Sequence, residues 1–263
     1  MKVLILTCNR RGFGAYCLPR LAEAKGVNIS MVIYSEGTKK NRKKYFKRKL
    51  KKTTKIGPLG ALNGLRMRSW FKEGVRSYLE IKDIKKQSEK YEIRYERTPN
   101  INCQHTIRLF READAKLGLS LGNGYIGESI FSIPKYGMIN VHHEKLPEFQ
   151  GAQSVIWQIY QESNITGYTI HKIDRNIDEG EIIYSNEMPI DFKKSLKETV
   201  SYNYAKLYEK SSKDLVDVIE DFPAYWENSE QQTGGRSYTT PSFWQYLRMV
   251  YNHRKLAQQQ GEA

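Results

Sequence analysis

The sequence predicts an α/β fold in which helices flank a Rossmann-like, mostly parallel sheet, with a C-terminal β-hairpin addition and a small, mainly helical C-terminal extension. Short β-branched apolar runs alternate with segments of helical spacing up to residue 142, as right-handed βαβ units do. Two later β-like runs are joined by one tight acidic loop, DRNIDEG, which is typical of a hairpin. We expect one main domain over 1–190 and the extension over 191–263.

The predicted elements follow one another in a simple order. We predict strands at 3–7, 28–34, 91–96, 115–122 and 136–142, and hairpin strands at 166–173 and 180–190. Helices are predicted at 18–26, within 60–84, and at 107–115, 126–133, 152–163 and 195–222. The last helix has the clearest pattern, because its apolar residues recur every three or four positions and Ser195 precedes Glu198 as in a capping box. A basic helix is predicted near the end of the chain.

The composition indicates a packed protein without a membrane span. Hydrophobic residues make up 39% of the 263 residues, and no apolar run approaches the roughly 20 residues that a span requires. The first apolar run is short and two arginines follow it, so we predict a strand there and no signal peptide. Three cysteines without CxxC spacing predict a reduced, cytoplasmic protein with no structural zinc site.

The net charge of +14 is concentrated in one segment. Residues 39–55 hold 11 Lys or Arg and no acid, so only +3 falls on the rest of the chain. Such a run suits RNA, an anionic membrane surface or a phosphorylated small molecule, and equally a solvated helix near the site or at a subunit edge. Its role stays open.

The stretch INVHHEKLPEFQG, at 139–151, carries the strongest candidates for chemistry. Asn140 and His142 alternate at the end of a predicted strand, so both side chains point to one face, and His143 points away. Open α/β sheets place ligands at this end of their strands, and Asp178 lies in a loop that follows another strand. An amide that stabilises an oxyanion, an imidazole that moves protons and a carboxylate that orients it suit acyl transfer.

These residues resemble the formyltetrahydrofolate-dependent formyltransferases. The family pattern runs Asn-x-His-x-Ser-Leu-Leu-Pro-x-Tyr-Arg-Gly, then Thr-Gly-x-Thr-x-His, then Asp-x-Gly before a strand. The chain matches it at Asn140, His142, Leu146, Pro147 and Gly151, then over 166–171, then at Asp178 and Gly180. The resemblance extends from Gly122 to Pro189.

The resemblance implies a mechanism and a co-substrate. A neutral amine attacks the formyl carbon of 10-formyltetrahydrofolate, Asn140 assisted by His142 stabilises the oxyanion, and Asp178 holds His142 and an ordered water. No metal is expected, because neighbouring strand residues face opposite ways and no further histidine has ligand spacing. The folate is expected against two loops with residues Asn123, Gly124, Tyr125, Ile126, Asn176 and Ile177. His171 matches a family histidine near the folate, and a packing role fits it equally well.

Four residues depart from the family pattern beside the catalytic pair. Glu144 and Lys145 replace Ser-Leu, and Phe149 and Gln150 replace Tyr-Arg. In the family this loop meets the amine substrate. We therefore expect these four side chains to bind an acceptor unlike that of the commonest members.

Three acceptors compete within the family. Methionyl-tRNA formyltransferases carry a larger β-barrel C-terminal domain that the helical residues after 190 cannot supply, and glycinamide ribonucleotide formyltransferases keep the usual loop residues. The resemblance is therefore strongest to enzymes acting on nucleotide-linked amino sugars, such as GDP- or dTDP-4-amino-4,6-dideoxyhexoses, for surface polysaccharides including O-antigen. The acceptor diphosphate is expected near Arg10, Arg11 and Gly12, since amides and guanidinium groups at a helix N-terminus bind phosphate; a simple turn explains this loop equally.

Partners and rival functions complete the expectation. A homodimer is an open possibility and no nucleic-acid partner is expected. The rival of another class, motivated by residues 39–55, is an RNA- or membrane-surface-binding protein with an inactive formyltransferase fold.

Overall fold

The computed structural model describes residues 1–37, 42–151 and 154–261, without most side chains between 42 and 55. Most side chains of the basic run at 39–55 therefore lie outside the described residues. The strands described are β1 Lys2–Thr7, β2 Asn28–Ser35, β3 Tyr95–Thr98, β4 Leu117–Ser120, β5 Met138–His142, β6 Gln150–Gly151, β7 Ile165–Lys172, β8 Ile182–Pro189 and β9 Ser237–Tyr238. The helices described are α1 Phe13–Glu23, α2 Arg42–Met67, α3 Glu73–Arg76, α4 Ile84–Lys90, α5 Gln104–Ala113, α6 Glu128–Phe131, α7 Ile156–Tyr160, α8 Leu196–Glu220, α9 Phe222–Glu227 and α10 Phe243–Gln259.

One sheet of seven strands carries the fold, in the order β3-β2-β1-β4-β5-β7-β8. The first five strands of that order are parallel, whereas β7 pairs antiparallel with β5 and with β8. Val3, Leu4, Ile5 and Leu6 of β1 are all fully buried, because helices cover both faces of a central parallel strand. The predicted α/β fold with its added hairpin is confirmed.

Some predicted boundaries are wrong. The third strand was expected at 91–96 and lies at Tyr95–Thr98, because Tyr91 caps α4 and Glu92 turns the chain with a φ of 55°. α1 begins at Phe13, five residues before the predicted start, and α7 is shorter than predicted. Inside α2 the helix breaks at Gly57, where φ is 75° and Pro58 follows.

Helix α8, which the sequence assigned to a C-terminal extension, packs on the same core as β1 and α1. Its buried residues Ala205, Tyr208 and Leu215 belong to the cluster that contains Val3 and Leu18. Ser195 Oγ accepts a hydrogen bond from Glu198 N at 3.2 Å, as a cap does. The domain boundary after residue 190 stays a prediction, and residues on both sides of it pack in one core.

The C-terminal segment also reaches the sheet end where ligands are expected. β9 pairs in parallel with β6, directly beside the loop that follows β5. Within the described ranges, no helix combines the length and hydropathy needed to cross a bilayer.

Candidate active site

A cavity of about 470 Å³ opens beside the carboxyl ends of β4 and β5. It brings together side chains from the loops after β4, β5 and β7 and from α8. All three predicted catalytic residues and all seven predicted folate residues line it: Asn140, His142, Asp178, Asn123, Gly124, Tyr125, Ile126, His171, Asn176 and Ile177. The sheet thus gathers in one place residues that lie 55 positions apart in the chain.

The amide of Asn140 is held by His171. The two residues are directly opposite on β5 and β7, and Asn140 Nδ2 lies 3.1 Å from His171 Nε2. His171 Nδ1 lies 2.9 Å from the carbonyl oxygen of Lys172 and can only donate to it, so Nε2 accepts from the amide. Burial, and then the neighbouring His142, lower the pKa of His171 to about 4, which keeps the ring neutral as this pairing requires. The second amide hydrogen of Asn140 remains available as a donor.

Asp178 lies between two histidine rings. Its Oδ1 is 3.9 Å from His142 Nδ1 and 3.8 Å from His171 Nε2. Its Oδ2 accepts a hydrogen bond from Gly151 N at 3.3 Å, and its φ of 60° is one that aspartate tolerates better than most residues. Asp178 thus lies in a turn, and its carboxylate faces both rings.

His142 is mostly buried, with 11% of its side chain exposed, and its ring is neutral at neutral pH. Burial lowers its pKa, and the nearby carboxylate of Asp178 only partly opposes this effect. Its Nε2 lies 3.2 Å from the carbonyl oxygen of Phe149 and donates to it, which leaves Nδ1 toward Asp178. The set offers an amide donor, a neutral imidazole and a carboxylate, which is the chemistry that formyl transfer needs.

The two loops predicted to hold folate are fixed by groups that sequence reasoning missed. Asn102 donates to the carbonyl oxygen of Tyr125 at 3.0 Å and accepts from Gly127 N at 2.7 Å. Arg175 forms two hydrogen bonds with the carboxylate of Glu128, at 2.8 and 3.0 Å, and so ties one loop to the other. No motif marks Asn102, since it lies far along the chain from the loop it supports.

These loops present groups suited to a pterin. Asn123 Oδ1 is buried with no partner among the described residues, while its Nδ2 donates to Leu6 O at 2.6 Å. An orphaned acceptor in a cavity wall suits an N–H donor of a bound ring. Tyr125 and Ile177 are 50% and 65% exposed at this cavity, which offers apolar contact to a flat ligand.

Of the four loop residues predicted to bind the acceptor, only Glu144 lines the cavity. Lys145 instead pairs with Glu148 at 3.2 Å and with Glu187. Phe149 stacks on Tyr238, with ring centroids 5.4 Å apart. Gln150 donates its backbone N–H to Arg236 O at 3.0 Å. Phe149 and Gln150 thus contact β9 and the residue before it, and Lys145 contacts β8; the role of these three side chains as acceptor contacts stays a prediction.

The predicted phosphate loop lies outside the cavity lining. Arg10 Nη2 pairs with Asp83 Oδ2 at 2.9 Å, and the Arg10 side chain is half exposed. Arg76 donates to the carbonyl oxygen of Arg11 at 3.0 Å and so adds a third guanidinium to the loop. Gly12 caps α1, and the next residue, Phe13, does line the cavity.

Further lining residues were not predicted. An aromatic wall adjoins the catalytic set, formed by Phe13, His143, Tyr204 and Tyr208. Tyr204 and Tyr208 lie four positions apart on α8, the spacing that places two side chains on one helix face, so the sequence held a weak signal for them. Among the described residues, no cluster of His, Cys, Asp and Glu could hold a metal ion.

The chain is similar in sequence and in structure to known formyltransferases. Residues 123–219 match the family model described as formyl transferase. This segment, just over a third of the chain, is therefore similar to the formyl transferase family. The methionyl-tRNA formyltransferase of Ehrlichia canis is 32% identical over 108 residues, 41% of this chain and 35% of that protein. The enzyme of the same name from Agathobacter rectalis is 30% identical over 131 residues, 48% of this chain and 42% of that protein. The matches thus span about two fifths of the length of these curated relatives.

Solved formyltransferases share the fold at low identity. Glycinamide ribonucleotide transformylase 1 from Symbiobacterium toebii has a TM-score of 0.56 and 11% identity, over 92% of this chain and 94% of that one. A sugar N-formyltransferase from a Shewanella species has a TM-score of 0.53 and 14% identity, over 96% and 87%. WlaRD, a sugar 3N-formyltransferase solved with dTDP and 5-N-formyl-THF, has a TM-score of 0.53 and 19% identity, over 90% and 69%.

Proposed function

We propose that this protein transfers a formyl group from 10-formyltetrahydrofolate to the primary amine of a nucleotide-linked amino sugar. The observation that carries the proposal is the convergence of Asn140, His142 and Asp178 in one cavity with both folate loops. The folate would lie against Asn123, Tyr125 and the 174–178 loop, and it supplies the formyl carbon.

Each catalytic side chain has a defined task in this reaction. The amide of Asn140, oriented by His171, donates a hydrogen bond to the oxyanion that develops on the formyl oxygen. His142 is mostly buried and neutral, and because its Nε2–H is donated to Phe149 O, its Nδ1 carries no hydrogen and can accept a proton during the transfer. Asp178 accepts the Gly151 N–H, which fixes its carboxylate beside both imidazoles.

The choice of an amino sugar rests on the residues that surround this set. Glu144 replaces a family serine in the cavity wall, so the acceptor amine meets a different group than in the commonest members. Arg10 and Arg11 shortly precede the cavity residue Phe13, and Arg76 of α3 donates a hydrogen bond to Arg11 O; these three guanidinium groups suit a diphosphate. Two solved proteins of the same fold are sugar N-formyltransferases.

The names of sequence relatives and of a structural neighbour suggest two other acceptors. The relatives described above are named methionyl-tRNA formyltransferases, and one structural neighbour acts on glycinamide ribonucleotide by its name. A panel distinguishes them: purified protein with 10-formyltetrahydrofolate is given GDP-, dTDP- and UDP-amino sugars, glycinamide ribonucleotide and methionyl-tRNA. We expect tetrahydrofolate release and a formylated product with an amino sugar, and none with its N-acetylated form. Formylation of only the last two acceptors contradicts the sugar proposal.

A substitution tests where the phosphates bind. Arg11→Ala should raise the KM for the nucleotide sugar about tenfold, because a charge-assisted phosphate contact is lost, and leave the KM for the folate unchanged. Arg94→Ala is the matched control, since Arg94 pairs with Glu96 and Glu112 away from the cavity. Equal effects of the two substitutions contradict a phosphate site at Arg11.

A further inference from the structure

One wall of the cavity contains a carboxyl group that the reaction described above does not use. Glu144 lines the cavity and is only 3% exposed. One of its oxygens accepts a hydrogen bond from Gln158 Nε2. Among the residues that the structure describes, no Lys or Arg forms an ion pair with it; the neighbouring Lys145 pairs with Glu148 and Glu187 instead. A buried carboxylate without a cation is costly, so this position suits a ligand that brings a positive charge.

The remainder of this wall is aromatic and uncharged. The rings of Phe13 and His143 lie 4.6 Å apart, those of His143 and Tyr208 are 4.9 Å apart, and those of Tyr204 and Tyr208 are 5.2 Å apart. Burial lowers the pKa of His143 to about 3 and raises the pKa values of both tyrosines, so none of these side chains is charged at neutral pH. Aromatic faces tolerate a cation, whereas a charged imidazole would repel one.

Ser154 provides a second observation in the same wall. Its hydroxyl oxygen is buried and has no hydrogen-bond partner among the described residues, although it lines the cavity. Gln158 Oε1, on the amide that contacts Glu144, is buried and unpartnered in the same part of the chain. Native proteins rarely leave buried polar atoms unsatisfied, so a group with several N–H donors is the natural complement. An alkylammonium ion has three such donors and a positive charge.

We propose that Glu144, Ser154 and the aromatic wall form the amine subsite, where Glu144 binds the acceptor as its ammonium ion and removes one proton before attack. This inference rests on the proposed formyl transfer. An N–H bond of the ammonium breaks, an O–H bond forms on Glu144, and the freed nitrogen lone pair forms the C–N bond to the formyl carbon. When the bond between that carbon and the folate nitrogen breaks, the folate nitrogen takes the second amine proton. Glu144 then returns its proton to water.

The surroundings of Glu144 raise its pKa toward that of an amine. Burial first, and the carboxylate of Asp178 second, raise its pKa to about 8, against the opposing hydrogen bond from Gln158. The other titratable groups around it are His142 and His143 of the β5 end and Tyr204 of α8, and none is cationic at neutral pH. A base with a pKa near that of an amine exchanges a proton with it readily.

The experiment compares two acceptors that differ in proton affinity. One is the amino sugar that the wild-type protein formylates in the acceptor panel, and the other is its aminooxy analogue, which is neutral at pH 7. Glu144→Gln should lower kcat/KM for the amine about 100-fold at pH 7, and for the aminooxy acceptor less than threefold. With the amine, the kcat/KM of the wild type should rise as the pH increases through about 8. The kcat/KM of the variant should instead rise in proportion to the unprotonated fraction of the amine. Glu148→Gln, in the same loop but outside the cavity lining, should match the wild type.

The outcomes separate this inference from the proposed function. If Glu144→Gln lowers kcat/KM equally for both acceptors, or leaves the pH profile of kcat/KM unchanged, the proposed role of Glu144 is overturned. Formyl transfer by the wild type is not affected by that outcome. A wild-type protein that formylates no amine in the panel overturns the proposed function and this inference with it. If Glu144→Gln does not fold by circular dichroism, Ser154→Ala takes its place. Ser154→Ala should raise the KM for the amine about tenfold and leave the KM for the aminooxy acceptor unchanged. Equal changes in the two KM values would overturn the proposed amine subsite.

Discussion

Asn140 Nδ2 lies 3.1 Å from His171 Nε2, across the antiparallel pair of β5 and β7. The added hairpin therefore does more than extend the sheet. It places His171 opposite the amide, and its connecting loop brings Asp178 within 4 Å of both imidazole rings. Because strand pairing fixes these positions, the geometry of the set depends on backbone hydrogen bonds rather than on flexible side chains.

His171 is expected to act through Asn140. His171→Ala should lower kcat about 100-fold, the cost of a mispositioned oxyanion donor, and change the KM for folate less than threefold. His171→Gln can still present a hydrogen-bond acceptor and should recover part of the loss. Steady-state kinetics with both substrates measure this. A large rise in the folate KM with kcat unchanged would instead make His171 a folate contact.

Tyr238 is expected to support the catalytic set from the C-terminal segment. Its ring stacks on Phe149, whose carbonyl oxygen accepts the hydrogen bond of His142, and β9 pairs with the strand that contains Gly151. Tyr238→Ala should lower kcat about tenfold as His142 and Asp178 lose their fixed partners, while Tyr238→Phe keeps the stacked ring and should stay within twofold. Similar kcat values for both variants contradict this coupling.

The ion pair between Arg175 and Glu128 is expected to hold the folate loops together. Both side chains are exposed, so the ion pair itself contributes little to stability. Arg175→Ala should nevertheless raise the KM for folate about threefold, because the two folate loops lose the contact between them. It should leave kcat unchanged, because Asn140, His142 and Asp178 keep their partners. Binding of 5-formyltetrahydrofolate by isothermal titration checks this, with Arg94→Ala as the control; an equal affinity in both variants contradicts it.

Glu144 makes the stability of the protein depend on pH. Its pKa in the folded state, about 8, is above that of the unfolded chain, so folding takes up a proton between these values. The contribution of Glu144 to the free energy of unfolding is therefore fully present below about pH 4.5 and is lost as the pH rises through 8. The loss amounts to about 5 kcal/mol at most. Glu144→Gln should remove this contribution. Urea unfolding at pH 6 and pH 9 should show a smaller difference for the variant; an identical difference contradicts the buried, protonated carboxyl.

The sequence predicted most of what depends on local pattern. Asn140 and His142 followed from alternation at a strand end, and the acidic loop with Asp178 followed from its place in a hairpin. By contrast, Asn102 and Tyr204 reach the site from distant elements: the spacing of Tyr204 and Tyr208 shows that they share a helix face, but not what that face covers. The carbonyl of Phe149 acts through its backbone, so its residue type held no signal. The shift of β3 came from the positive φ of Glu92, which is not a residue that predicts such a turn.

The most direct test of the central claim is the single-turnover rate of formyl transfer in His142→Asn and Asp178→Asn, with folate binding and circular dichroism measured on the same samples. Both variants should fold and bind 5-formyltetrahydrofolate like the wild type. Each should transfer the formyl group at least about 1,000-fold more slowly, because the oxyanion and proton steps lose a fixed partner. Rates within tenfold of the wild type, with folding and folate binding intact, would contradict the assignment of this cavity as the catalytic site.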